Sequence, residues 1–169
     1  MGRMERLNIR HLAAVDQAGK VVGVVSARAL LRLRAGASLA LGDAVATAAD
    51  ATDLRRVFDQ LPALARGLLA DEVSAIKIAG VISATVRDMT GRATEMAEAA
   101  MARDGWGRPP ARYTMLVLGS GGRGESLLAA DQDNALVHEG IHGGTEGDDR
   151  WFAELGRRAC DTLHAGKEL

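Results

Sequence analysis

The chain has 169 residues, 47% apolar and 25% charged, with a formal net charge of −1; that length suits one ordinary domain or parts of two. The near-neutral charge and an aromatic content of 3% exclude the basic, stacking surface of a nucleic-acid platform. A lone cysteine, Cys160, excludes an internal disulfide framework and is expected to be a small buried hydrophobe. With so few aromatics the core must be aliphatic and alanine-rich, which favours helices. There is no run of about 18 apolar residues and no signal-peptide pattern. No membrane contact is therefore expected, and a cytoplasmic setting is the default.

Residues 11–16, His-Leu-Ala-Ala-Val-Asp, read as a short strand. Gln17 to Lys20 is a turn in which Gly19 supplies a positive φ. Val21 to Val25, apolar throughout, reads as a second strand buried on both faces. Ser26 is placed to N-cap a helix from Ala27 to Leu33, ended by Gly36. Arg28, Arg32 and Arg34 then line a solvated helix face. This β-turn-β-helix run resembles the second half of a CBS unit, without the first strand and helix. The resemblance implies adenosine-nucleotide binding through a Ser/Thr-x-x-Asp at the helix start. Ser26 fits that pattern, but Ala29 stands at the Asp position, so a structural remnant is expected.

Strand signals stop after residue 36. Leu54, Val57, Phe58, Leu61, Leu64 and Leu68 recur at helical spacing. Thr52 is the expected N-cap, with Asp53 in the first turn, and Pro62 should kink or split the helix. A second helical stretch runs from about Glu72 to Arg103, with Val73, Ile76, Gly80, Val86, Met89, Ala93, Met96 and Ala100 along one stripe. Gly105 stops it. Gly80 and Gly91 would let another helix approach closely. Met89, Met96 and Met101 read as core filler. No metal or catalytic spacing occurs in this region.

Trp106 to Pro110 is a linker, because two prolines forbid helix and lead into an extended strand, Tyr113 to Leu118. A turn follows, Gly119-Ser-Gly-Gly-Arg-Gly124, then one short helix and a second strand that opens with Asp131 and Asp133. Alternate strand residues share a side, with Cα atoms roughly 6–7 Å apart. Asp131 and Asp133 thus point together, a pairing that suits a hard cation such as Mg²⁺ sharing its shell with phosphates. The Gly-Ser turn offers free backbone N–H groups to phosphate. The same glycines also match G-x-G-x-x-G, the dinucleotide fingerprint. That motif needs a full helix after the glycines, and about six residues, under two turns, separate Gly124 from the aspartates. After Val137, residues His138 to Asp149 read as a polar, glycine-rich loop. Its His138, His142, Asp148 and Asp149 fit no standard metal spacing. Trp151 to His164 is a final amphipathic helix, with Trp151, Leu155, Ala159 and Leu163 on its apolar face.

Gly119-Ser120, Arg123, Glu125 and Asp131-x-Asp133 together resemble the nucleotidyltransferase motif G-S-x-x-R-x-E…D-x-D. More narrowly, residues 108–138 resemble the CBS-domain-associated nucleotidyltransferases of the DUF294 type, related to the N-terminal region of protein-PII uridylyltransferase. Two positions depart from that pattern: Gly121 stands where Glu is usual, and Ala130 where Ser or Thr commonly precedes the first aspartate. The resemblance implies transfer of a nucleotidyl group from an NTP to an acceptor hydroxyl, with release of pyrophosphate. Gly119, Ser120 and Arg123 would hold the nucleotide, and Asp131 and Asp133 would bind Mg²⁺ or Mn²⁺ and carry catalysis. An ion pair between Arg123 and Glu125 is the other reading of that arginine, and Glu125 is not expected to be a metal ligand. The resemblance also implies a third carboxylate on a later strand, which this sequence does not contain, so the chain is expected to be a fragment and inactive alone. A PII-like acceptor protein is implied by resemblance only, as is a homodimer through the CBS unit.

The expected fold is α+β and mostly helical: a partial CBS β-β-α unit over 1–36, a helical bundle over 37–107, and the start of a nucleotidyltransferase α/β domain over 108–169. The alternative function is a non-catalytic regulatory or nucleotide-sensing interaction module.

Overall fold

The computed structural model describes residues 4, 6–26, 40–128, 133–140 and 146–165. It is α+β and mostly helical, with two small antiparallel sheets. The first is a hairpin of β1 (His11–Val15) and β2 (Val21–Ser26), paired from His11↔Ser26 to Val15↔Val21 with an irregularity at Ala14/Val15. Its turn forms as the sequence dictates. Gly19 has φ 80°, and Asp16 Oδ1 accepts hydrogen bonds from the amides of Ala18 and Lys20, each at 2.9 Å. Burial of β2 on both faces is not found. Val22 and Val24 are 65% and 67% exposed. A continuous apolar run marks a strand without saying what covers it, and the described residues lay nothing over either face of β2. The helix expected over Ala27–Leu33, with Arg28, Ala29, Arg32, Arg34 and Gly36, lies outside the described residues.

Three helices follow: α1 (residues 40–47), α2 (Ala51–Ala70) and α3 (Ala75–Arg103). The N-cap of α2 is Asp50 rather than Thr52. The Asp50 carboxylate accepts from Asp53 N at 3.0 Å, while Asp53 Oδ2 accepts from Ala49 N at 2.9 Å. Two aspartates three apart satisfy one open donor of the first turn and the amide just ahead of the cap, which one threonine could not. Pro62 does not split α2. Leu54 and Val57 before it, and Leu61 and Ala65 around it, are all buried in the same core, so the helix continues through the proline.

The buried stripe of α3 runs Ile78, Ile82, Val86, Met89, Ala93, Ala97, Met101, at steps of three and four. The middle agrees with the sequence reading at Val86, Met89 and Ala93, while at the C-terminal end Ala97 and Met101 are buried and the expected Met96 and Ala100 are only half-buried. The N-terminal part does not agree: Ile76 is 65% exposed, because Ile78 and Ile82 take the inward positions. A Cβ added at Gly80 or Gly91 would meet nothing within 4 Å, so neither glycine admits a close helix approach among the described residues. Met89 and Met101 are core residues, and Met96 packs partly buried against the core that holds Met89.

The second sheet pairs β3 (Tyr113–Val117) with β4 (Asn134–His138), in register from Tyr113↔His138 to Val117↔Asn134. Between them lies α4 (Gly119–Arg123), and after them α5 (Glu146–Ala165). The last helix starts five residues before the expected Trp151, and His138 belongs to β4, so the polar loop is shorter than its composition suggested. Trp151, Phe152, Leu155, Ala159 and Leu163 are buried. Cys160, one position beyond Ala159, is exposed; helical periodicity turns it off the apolar face. Ala97 and Met101 of α3 join Trp151, Phe152 and Leu155 of α5 in one core, with Tyr113, Met115 and Leu136 of the sheet packed on it. No described helix is long and apolar enough to cross a membrane.

Candidate active site

The site forms where β3 ends. Leu118 N donates to Asp133 O at 2.7 Å, which extends the β3–β4 ladder by one bond past Val117↔Asn134. Asp133 therefore sits just ahead of β4 rather than within it. At Gly119 the chain turns into α4 with φ 54°. A Cβ there would lie 2.4 Å from Asp133 Oδ2. Glycine is thus required at 119 twice over: by a backbone conformation that side chains resist, and by the carboxylate that occupies the space. The ladder delivers one expected carboxylate onto the expected glycine. Asp131 lies outside the described residues, so its pairing with Asp133 belongs to the sequence reading.

The other glycines of the turn are packing devices. A Cβ at Gly121 would come within 2.8 Å of Val117 Cγ1, and one at Gly122 within 2.4 Å of the Val117 carbonyl oxygen. The turn is folded flat on the end of β3, which accounts for glycine at 121, where the sequence departs from the narrower pattern. Gly124 closes α4 in the left-handed conformation at φ 77°. The Ser120 carbonyl accepts from Glu125 N at 2.8 Å. Arg123 Nε donates to Glu125 Oε2 at 2.9 Å, and both side chains are largely exposed. The ion pair between Arg123 and Glu125 is formed.

Two residues that sequence reasoning passed over hold this turn from α3. Arg87 NH1 donates to Gly121 O at 3.0 Å, and Ser83 Oγ accepts from Ser126 N at 2.9 Å. The signal was present: a serine and an arginine, i and i+4, each directly after a core residue of the helix, Ile82 and Val86.

The far end of the sheet serves packing. Tyr113 OH donates to Glu98 Oε2. Burial, and then that carboxylate, push the Tyr113 phenol above its ordinary range. His138 stacks on Phe152, with centroids 4.2 Å apart and planes at 5°, and its Nε2 lies 4.0 Å from Asp149 Oδ1. His142 and the Asp148 side chain lie outside the described residues. No group of three His, Cys, Asp or Glu among the described residues is placed to hold a metal. A cavity of about 450 Å³ opens between Asp50, α3 and α5, but its Arg158 is engaged by Asp104 and Glu154, and none of the motif residues lines it.

Residues 59–166 match the family described as "Putative nucleotidyltransferase DUF294", and the chain belongs to that family. The match begins inside α2, so it takes in α3 as well as the motif. No curated protein and no solved structure matches the chain.

Proposed function

We propose that this protein transfers a nucleotidyl group from an NTP to an acceptor hydroxyl, with release of pyrophosphate. The observation that carries the reading is the Asp133 carboxylate seated against the side-chain-free surface of Gly119, within a chain of a nucleotidyltransferase family. Gly119 and Ser120 offer backbone N–H groups and a hydroxyl to the nucleotide phosphates. Arg123, exposed and paired with an exposed glutamate, can exchange that partner for phosphate at small cost. Asp133 fits Mg²⁺ or Mn²⁺ by the chemistry of its oxygen donors, and Asp131 would join it as a ligand. A divalent ion held there would neutralise phosphate charge and stabilise the entering and leaving oxygens. By resemblance, the acceptor is a protein of the PII kind and residues 1–36 are half of a CBS unit that regulates transfer, in a cytoplasmic setting.

The test is a thermal-shift titration with Mg·NTP. Ligand at about a hundred times Kd stabilises by about 2.7 kcal/mol. The wild type should show that rise and Asp133→Asn should lose it. An equal rise in the variant would remove Asp133 from the site.

A second reading, a non-catalytic interaction module, is favoured by one observation: the β1–β2 hairpin exposes Val15, Val21, Val22 and Val24, as a dimerising surface would. Pyrophosphate release on adding NTP and an acceptor-containing extract separates the two readings.

A further inference from the structure

The glycine turn does not hold its own shape. A five-residue helix is far below the length at which helices persist alone, and its last carbonyls have no partner within the helix. Gly121 O receives Gly124 N at 3.3 Å and Arg87 NH1 at 3.0 Å. A guanidinium at the carbonyl end of a helix is a charge-assisted donor placed where the helix dipole is negative. Five residues on, Ser126 is fully buried and its amide donates to Ser83 Oγ. Ser83 and Arg87 lie one helical turn apart on α3, so a single face of that helix grips residues 121 and 126. Only Gly122 to Glu125 loop outward between the two grips. Val117 closes the turn from beneath.

We propose that Arg87 is a positioning residue that fixes the glycine turn, and through it keeps Gly119 and Ser120 set against Asp133 for nucleotide. The second clause rests on the function proposed above. Arg87 is itself exposed, so truncating it opens no cavity in the core and the chain should fold without it. The same helix supplies a control. Arg92 donates from Nε at 3.0 Å and from NH2 at 2.9 Å to Ala48 O, at the α1–α2 junction. Its removal costs bonds of the same kind without touching the turn.

The experiment compares the whole chain with Arg87→Ala, Arg87→Lys and Arg92→Ala. One readout is amide hydrogen exchange at Gly122, Gly124 and Glu125, whose N–H groups bond to Leu118 O, Gly121 O and Ser120 O. The other is the Kd for Mg·ATP and Mg·UTP. Losing one hydrogen bond to a charged group predicts about tenfold faster exchange at those amides and about tenfold weaker nucleotide binding in Arg87→Ala. The amides of α3 should be unchanged, Lys should restore most of the loss, and Arg92→Ala should show neither effect. Unchanged exchange at the turn in Arg87→Ala would overturn the proposal, as would an equal effect in Arg92→Ala. Faster exchange with wild-type affinity would overturn its second clause alone. If the wild type binds neither nucleotide, the proposed function falls, and faster exchange at the turn would still assign Arg87 to it.

Discussion

The chain builds two antiparallel sheets of two strands each, and they meet opposite ends. The hairpin β1–β2 is the more apolar, with Val21-Val-Gly-Val-Val in one strand, yet Val21, Val22 and Val24 are exposed. The sheet β3–β4 carries threonine, tyrosine, asparagine and histidine, yet Tyr113, Met115 and Leu136 pack against the core of α3 and α5. A two-stranded sheet is marginal in water until something covers a face. Here α5 supplies Trp151 and Phe152, with the Tyr113 ring 5.8 Å from that of Phe152. The covered sheet can hold a carboxylate against a turn; the uncovered one offers only surface. Apolar content announces a strand, whereas a partner on one face turns it into a platform.

The contrast is broken or sharpened first at the core. Leu155 is fully buried between α5, α3 and the sheet, so Leu155→Ala should cost about 2–5 kcal/mol in urea unfolding followed by circular dichroism. Val24→Ala in the hairpin should stay within about 0.5 kcal/mol. Similar costs would mean that the hairpin is covered too.

Next comes the platform itself. Gly119→Val must adopt a positive φ and displace the Asp133 carboxylate, at a backbone cost of about 1–3 kcal/mol. Affinity for Mg·NTP should fall in titration calorimetry while helical content is kept. Unchanged affinity would put the phosphate cradle elsewhere.

A smaller effect is expected from charging the hairpin. The double variant Val22→Lys, Val24→Lys should leave monomer stability within about 1 kcal/mol, as surface changes do. If the hairpin is the dimer surface proposed above, the variant should sediment as a monomer where the wild type does not. A wild type that is monomeric at every concentration would end that proposal.

The smallest effect is a pH dependence confined to the covered half. Hydrogen bonds from Arg157 and then Arg158 hold the Glu154 carboxyl down to about 2, from an ordinary 4.5. A carboxyl depressed in the folded state lends stability that is fully present above the unfolded value and is lost as pH falls through the folded one. The melting-temperature gap between wild type and Glu154→Gln should therefore be steady above pH 4.5 and close as pH approaches 2. A gap that persists at the acid end would mean that those arginine bonds do not depend on ionised Glu154.

Local chemistry was legible along the chain. Gly19, Gly105 and the end of α3 fell where turn and cap residues put them, and the apolar face of α5 followed from its spacing. The motif from Gly119 to Asp133 was readable because the family pattern it resembles sets particular residue types at particular intervals. The misreadings of burial share one cause. Burial of β2, Ile76 and Cys160 depends on which neighbouring surface arrives, and a single strand or helix does not encode that. Thr52 as a cap and Pro62 as a break were judged by residue preference alone, and a reciprocal pair of aspartates and a shared core outweighed it.

What the sequence determined by itself was the kind of element at each place and the residue types offered at the turn, since both follow from backbone sterics and short-range spacing. The tertiary structure alone decided that Asp133 meets Gly119, and that Arg87, 34 residues before Gly121, holds the turn they share. The reason is that ladder register and helix packing bring together groups far apart in the chain, and no local pattern carries that distance.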